Sequence, residues 1–297
     1  MTLGAAAFAW VSAVVHRESA IVLPPGKEYL VESRLLPLAR DRGLPDVDAL
    51  VARLQAAPAP AEVAAVVEAL TTNETSWFRD GRPFEVFRGT VLPELMADSG
   101  RRRLNIWSAA CSSGQEPYTL AMLLSEEVVP RGWSADVLAT DISHAMLDRT
   151  HEATYGQLEI GRGLPASMLV KYFSRRGTQW RVDDRLRAMV RVQHLNLAGR
   201  WPILPVFDVV FLRNVLIYFD TDTKRAVLSR VRQVLSPRGY LFLGGAETTL
   251  GIDDSWTRTT IDGLTVYRPL PDTSLTGGSD ALSPLAVPTE PTGTTGW

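Results

Sequence analysis

The chain has one cysteine, Cys111, in 297 residues, so no intramolecular disulfide can brace it, and that usage fits a reducing compartment. Its four histidines, His16, His144, His151 and His194, are scattered and have no cysteine partners at metal-site spacing, so no metal centre is expected. Charge of neither sign dominates. With Lys and Arg at 31 against Asp and Glu at 33, the net charge of -2 argues against a nucleic-acid binder, which is normally basic. A long apolar run is also lacking. Ala5 to Val15 is apolar, but it falls short of the ~20 residues that cross a bilayer. No Lys or Arg precedes this run and no clear small-residue cleavage site follows it, so it reads as a packed helix of a cytoplasmic protein. What is present is an ordinary globular balance, 45% hydrophobic and 22% charged, at a length that suits a main domain with a smaller companion.

The stretch LNIWSAACSSGQEPYTLAMLL, Leu104 to Leu124, organises the rest. Leu104, Ile106 and Trp107 suit a buried strand ending at Ser108. Ala109 to Gly114 form a small-residue loop that lets a ligand approach the backbone. Pro117 fits the first turn of a helix with Leu120, Leu123, Leu124 and Val128 as its apolar stripe. Strand, tight turn and helix N-terminus make a general nucleotide-binding device. The loop has neither the G-x-G-x-x-G spacing of a dinucleotide site nor the G-K-[ST] ending of a P-loop. In the place of a phosphate it puts Glu116, which repels a pyrophosphate and attracts a cation. S-adenosylmethionine, with a sulfonium and an ammonium group and no phosphate, suits that carboxylate. Packing alone also accounts for small residues at such a turn.

Before this stretch, no good strand appears up to about Leu70. Helical patterns run through Phe8–Val15, Lys27–Arg42, Asp46–Leu54 and Val63–Leu70, which suggests a small bundle. In the second, Lys27, Arg34, Arg40 and Arg42 are expected on the outer face. Thr71 to Phe84, TTNETSWFRDGRPF, mixes polar groups and aromatics, with Asp80 a candidate cap for the helix that holds Pro83. It reads either as a capped helix junction or as a lid in which Arg79 can pair with a carboxylate. Further on, Val137 to Ala139 make a second buried strand with Asp141 at its carboxyl end. An acidic residue at about that distance, 20–30 positions after such a loop, commonly holds a ribose diol. Capping of the next helix by Asp141 or Ser143 is the plainer alternative.

His144 to Tyr172 reads as mostly helical with a break at Gly161–Pro165, and about 171–195 as a small antiparallel insertion. Phe207 to Phe219 opens as a strand buried on both faces and ends in Arg213 and Asn214. Asp220 or Thr221 starts a helix that Pro237 and Gly239 stop, and strands are expected at Tyr240–Leu243 and Leu264–Tyr267. The residues from Pro269 to the end, rich in Pro, Thr, Gly and Ser, are expected to be disordered.

Five phrases taken in order, TTNETSWFRD, WSAACSSGQEPYTLAMLL, ATDIS, HLNL and FDVVFLRNVLIYFD, closely resemble the chemotaxis receptor glutamate methyltransferases of the CheR type, over roughly Phe8 to Tyr267. The resemblance implies an α/β fold: a Rossmann-like class I S-adenosylmethionine-dependent methyltransferase sheet with a small antiparallel β-subdomain, preceded by an all-α N-terminal domain. The expected division is 1–70 helical, 71–84 a linker to the cofactor site, 85–268 methyltransferase and 269–297 tail. Asn73, Thr75 and Arg79 would reach the cofactor from the linker, Glu116 its methionine portion and Asp141 its ribose. Asn196 and Leu197 would border the adenine, while Arg213 and Asn214 line the cleft. Tyr218, near the transferred methyl, and Arg79 are the candidate catalytic residues.

The implied reaction gives glutamyl methyl esters on the cytoplasmic helices of methyl-accepting chemotaxis receptors, in sensory adaptation. A glutamate with a pKa near 4.3 is already an anion at neutral pH, so no general base is needed. The enzyme is expected to be a monomer that neither binds nucleic acid nor inserts into a membrane. The short turn at about Ser174 to Trp180, with Gly177 as its only glycine, implies independence of the C-terminal pentapeptide tether that some relatives grip. The alternatives are a methyltransferase for another protein or a small molecule, and a non-catalytic cofactor-binding signalling module. An amino-methylating DNA enzyme would show Asn/Asp-Pro-Pro-aromatic where this chain has Asn214-Val215-Leu216-Ile217.

Overall fold

The computed structural model describes residues 3–97 and 100–271, so most of the tail expected to be disordered lies outside the described residues. Four helices come first: α1 Ala5–Ser19, α2 Glu28–Asp41, α3 Val47–Ala56 and α4 Pro60–Leu70. They pack through Val11, Val15, Leu35, Leu50, Leu54 and Val66, all nearly sealed from solvent. Asp46 caps α3 by accepting the Ala49 N–H at 2.8 Å. After the linker come α5 Arg82–Val86, a π-helical turn Phe87–Val91 and α6 Leu92–Met96.

The sheet then alternates with helices: β1 Arg103–Ala109, α7 Gln115–Glu127, β2 Ser134–Asp141 and α8 His144–Glu152. An insertion follows, with β3 Thr154–Gly156, α9 Gln157–Ile160, α10 Ala166–Tyr172, β4 Phe173–Arg176, β5 Gln179–Val182 and α11 Asp184–Met189. The main sheet resumes with β6 Val190–His194 and β7 Phe207–Leu212, then α12 Thr221–Val234, β8 Leu235–Leu243, β9 Trp256–Ile261 and β10 Leu264–Pro269. The main-sheet order is β6-β2-β1-β7-β8-β10-β9. The first five run parallel, and β10 is antiparallel to both β8 and β9. This is the Rossmann-like α/β sheet expected, and its order reverses at β1. Ligands of open α/β sheets sit beyond the carboxyl ends of the strands at that point.

Several expectations change in detail. The antiparallel insertion begins earlier than 171, because β3 pairs with β5 in the order β3-β5-β4. The 154–156 strand is too short to show a period. Val190 to Val192 do form a strand, but it pairs parallel with β2 at the edge of the main sheet, and Met189 ends a helix. Helix α12 stops at Val234, ahead of Pro237, and Leu235 opens β8. Asp80 does not cap α5: its residue has a φ of 68° and its carboxylate faces Arg213, while Gly81 takes the N-cap position. α7 is buried almost all round rather than along one stripe, with Tyr118, Thr119, Ala121 and Met122 also sealed. It is covered by the insertion as well as by the sheet.

The linker is pinned between the insertion and the sheet. Trp77 is fully buried, edge-on to Tyr155 at 4.9 Å and to Phe173 at 5.4 Å. The Trp77 backbone N–H donates to the Arg162 carbonyl at 3.1 Å. Hydrogen bonds fasten the helical bundle to the carboxyl edge of the sheet. His16 Nε2 meets Asp220 Oδ2 at 2.9 Å, and the Val22 N–H donates to the Tyr218 carbonyl at 2.9 Å. Asn196 Nδ2 donates to the Glu18 carbonyl at 2.6 Å, and Glu68 Oε1 accepts from Ser143 Oγ at 2.7 Å and the Ala145 N–H at 2.8 Å.

Candidate active site

Beyond the carboxyl ends of β1, β2, β6 and β7 lies a cleft open at its mouth, with about 880 Å³ of empty space when the solvent at that mouth is included. The linker closes it from one side. Asn73, Thr75, Arg79, Glu116, Asp141, Asn196, Leu197, Arg213, Asn214 and Tyr218 all line it, so residues from five separate stretches meet in one place.

The β1–α7 loop forms the floor. Ala110 at φ 62° and Ser112 at φ 51° take left-handed conformations that turn the chain sharply beneath the cleft. Ala110, Cys111 and Ser112 line the cleft, and their small size keeps the loop backbone close to it, as the composition of the loop suggests. Gly114 has a different reason for lacking a side chain. At φ +97° it is the N-cap of α7, and a Cβ there would stand 2.7 Å from the Tyr155 hydroxyl and 3.0 Å from Thr150. That glycine serves packing against the insertion.

Glu116 sits in the first turn of α7, where the helix dipole favours an anion. Its Oε1 accepts from Ser108 Oγ at 2.8 Å and its Oε2 from Arg213 Nη1 at 2.9 Å. Arg213, whose side chain is 2% exposed, also donates through Nη2 to Asp80 Oδ2 at 2.6 Å and to the Arg79 carbonyl at 2.9 Å. Arg213 therefore joins the sheet edge, α7 and the linker. Burial pushes the Glu116 carboxyl upward from its ordinary value, and Arg213 and Ser108 oppose that shift.

Asp141 ends β2. Its Oδ2 accepts from the Ser112 N–H at 2.8 Å and its Oδ1 from the Ser143 N–H at 2.9 Å. Burial raises its pKa against those backbone donors. The capping role belongs to Ser143, which accepts the Met146 N–H at 3.2 Å. Asp141 is thus free of capping duty, and each oxygen keeps acceptor capacity beyond its backbone bond. Beside it, Ile142, Leu195 and Leu197 give that end of the cleft an apolar slot.

From the linker, Arg79 Nη1 donates to the Glu74 carbonyl at 2.6 Å, and Ser112 Oγ donates to the Asn73 carbonyl at 2.8 Å. Cys111 is buried, its thiol pushed well up by burial and by the Asp141 charge, so it is a packing group and not a nucleophile. Among the described residues no cluster could hold a metal ion, and no helix is long and apolar enough to cross a membrane. The donor set fits a cationic, phosphate-free nucleoside: one carboxylate at each end, an apolar slot between the strand ends, and an arginine at the linker. One residue went unnoticed in the sequence. Glu247, beyond β8, accepts backbone N–H groups of Asn214 and Val215 at 2.8 and 2.9 Å. Its signal, an acid two residues after the Gly244–Gly245 pair at a strand end, is faint.

The segment 73–262 matches the family model described as CheR methyltransferase, SAM binding domain, and 6–71 matches CheR methyltransferase, all-alpha domain. The chain is 40% identical over 261 residues to the chemotaxis protein methyltransferase Cher2 of Pseudomonas putida, covering 86% of this chain and 95% of that relative. It is 42% identical over 259 residues to chemotaxis protein methyltransferase 1 of Pseudomonas aeruginosa, covering 86% and 94%. For chemotaxis protein methyltransferase 1 of Vibrio cholerae the identity is 39% over 246 residues, covering 82% and 89%. Fold and matched models together define an S-adenosylmethionine-dependent methyltransferase of the Rossmann-like class I type, preceded by an all-α domain. The chain belongs to the CheR methyltransferase family.

Proposed function

We propose that this enzyme transfers the methyl group of S-adenosylmethionine to glutamate side chains of chemotaxis receptors, forming glutamyl methyl esters in sensory adaptation. Bound in the cleft, the cofactor supplies a methyl carbon made electrophilic by a sulfonium leaving group. Asp141 holds the ribose hydroxyls with the acceptor capacity its backbone donors leave over. Leu197 and Asn196 flank the adenine. Glu116, whose carboxylate Arg213 and Ser108 support against the effect of burial, would face the cationic methionine end, and Arg79 would pair with the cofactor's carboxylate. Asn73 and Thr75 cover it from the linker, Arg213 and Asn214 shape the wall, and Tyr218 borders the methyl. The substrate carboxylate arrives ionised, so alignment and exclusion of water are what the protein adds.

The single observation that carries this reading is the convergence of linker, loop and strand-end residues on one cleft whose rim the helical bundle helps to build. A protein substrate fits that open, two-part rim, and the chemotaxis names of the relatives point to receptors. We take 1–70, 71–84 and 85–268 as the functional divisions, the tail 269–297 as unneeded for transfer, and a cytoplasmic monomer as the working form. The basic face expected on α2 is smaller than the sequence suggested. Arg34 donates to the Leu70 and Thr71 carbonyls at 2.8 and 2.9 Å, and Arg42 pairs with Glu62 at 3.2 Å. Lys27 and Arg40 remain as the docking charges for the acidic receptor helices. The β4–β5 hairpin turns over Gly177 and Thr178 alone, which supports independence of a pentapeptide tether.

Tritium transfer from labelled cofactor to receptor-bearing membranes tests the reading. Label on receptor that base releases as methanol is expected. Absence of label, or label resistant to base, contradicts it. Calorimetry with a receptor C-terminal pentapeptide is expected to show no specific binding.

A further inference from the structure

The cleft wall from Arg213 to Phe219 is held from behind by Glu247, a residue that does not itself line the cleft. Its Oε2 accepts the N–H groups of Gly244 at 2.6 Å and Asn214 at 2.8 Å. Its Oε1 accepts those of Val215 at 2.9 Å and Ile217 at 3.3 Å. Four backbone donors from two segments thus converge on one carboxylate. Asn214 has a φ of 58°, an unusual conformation for a residue with a side chain. Successive N–H groups around such a left-handed residue form a concave seat for an anion, and here the protein fills that seat with its own carboxylate. The fit is close: a Cβ on Gly244 would stand 2.8 Å from Asn214 Nδ2 and 2.9 Å from the Asn214 nitrogen.

We propose that Glu247 is a positioning residue for methyl transfer: its carboxylate sets the course of the backbone from Asn214 to Tyr218 and thereby aims those two side chains into the cleft. This deepens the proposed function and rests on it where transfer to receptors is concerned. Charge and length both matter. Glutamine at this position would keep the size but direct an amide NH2 at backbone N–H groups, donor against donor. Aspartate would keep the charge and withdraw it by one methylene.

The test compares the full-length parent with Glu247→Gln and Glu247→Asp by hydrogen–deuterium exchange, titration with S-adenosylhomocysteine and methyl-transfer kinetics. In Glu247→Gln, exchange across residues 213–219 is expected to rise about tenfold or more while β1 and β7 keep parental protection. The kcat is expected to fall on the order of tenfold to a hundredfold, as displacement of reacting groups by about an ångström does. The KM for receptor should stay within about threefold, since the docking surface is elsewhere, and Glu247→Asp should recover part of the kcat. Unchanged exchange at 213–219, exchange rising equally everywhere, or an unchanged kcat overturns the proposal. If Glu247→Gln does not fold, Glu247→Asp against the parent decides by the same readouts. If the parent methylates no receptor, the substrate assignment fails, and exchange across 213–219 in Glu247→Gln against the parent still decides whether Glu247 holds that wall.

Discussion

Asp141 and Glu116 are carboxylates placed where water is scarce, and in both burial outweighs the donors that oppose it. A carboxyl with a raised pKa takes up its proton at higher pH than an exposed one. Its anion, the form that accepts a ribose O–H or faces a cation, is present above the raised value and lost as pH falls through it. Affinity for S-adenosylhomocysteine is therefore expected to fall on acidification, with a midpoint above that of an ordinary exposed carboxylate. Titration at several pH values checks this, and Asp141→Asn should weaken binding and flatten the profile. A pH-independent affinity in the parent would count against both assignments. Arg213 makes a second prediction at this scale. Its removal strands Glu116 beside an empty space, so Arg213→Ala should cost about 3–5 kcal/mol in denaturant unfolding. Adding Glu116→Gln should recover part of that loss, because the uncompensated buried charge is then gone.

At the scale of elements, the linker and the insertion are locked by one tight crossing. Gly163 has a φ of +96°, and a Cβ there would stand 2.3 Å from the Trp77 carbonyl oxygen. Gly163→Ala is expected to lose about 1–3 kcal/mol of stability from backbone strain alone, with the collision adding to it. Chemical denaturation reads the loss, and a change within error of zero would mean that this crossing is loose.

The same elements show what a sequence can disclose. β1, β2 and β7 were legible because strands buried on both faces are apolar throughout, as in Phe207–Leu212. β9 was not, since Thr257, Arg258, Thr259 and Thr260 lie at a solvent-facing sheet edge and show no apolar alternation. β6 was legible as a strand but not as a member of the main sheet, because Val190 and Val192 read the same in either setting. The Asp80 misassignment has a local cause: an acid before a helix reads as a cap unless the backbone turns left-handed, and that turn gives Asp80 to Arg213. Asp141, Arg213 and Asn214 were legible as polar residues at strand ends, Glu116 as an acid at a helix start and Arg79 in a polar–aromatic linker, while Asn73, Thr75, Asn196, Leu197 and Tyr218 took their roles from the family resemblance. Glu247 was hidden because its partners are backbone N–H groups, which leave no mark in the sequence.

For the molecule as a whole, the two parts share one rim. Glu68 of α4 reaches the Asp141–Ala145 turn, and Arg34 of α2 grips the start of the linker through the Leu70 and Thr71 carbonyls. The helical bundle is thereby part of the frame of the cleft. If Lys27 and Arg40 meet acidic receptor helices, Lys27→Glu with Arg40→Glu should lower kcat/KM for receptor about tenfold at low salt and leave S-adenosylhomocysteine affinity unchanged. The difference from the parent should shrink as salt rises. Equal kcat/KM in parent and double variant would move the docking surface elsewhere.

The most direct measurement of the central claim is a crystal structure of the chain grown with excess S-adenosylhomocysteine. The account predicts the ribose hydroxyls on Asp141, the adenine against Leu197 and the homocysteine end between Glu116 and Arg79. Binding of the compound outside this cleft, or a pose with the ribose away from Asp141, would contradict it.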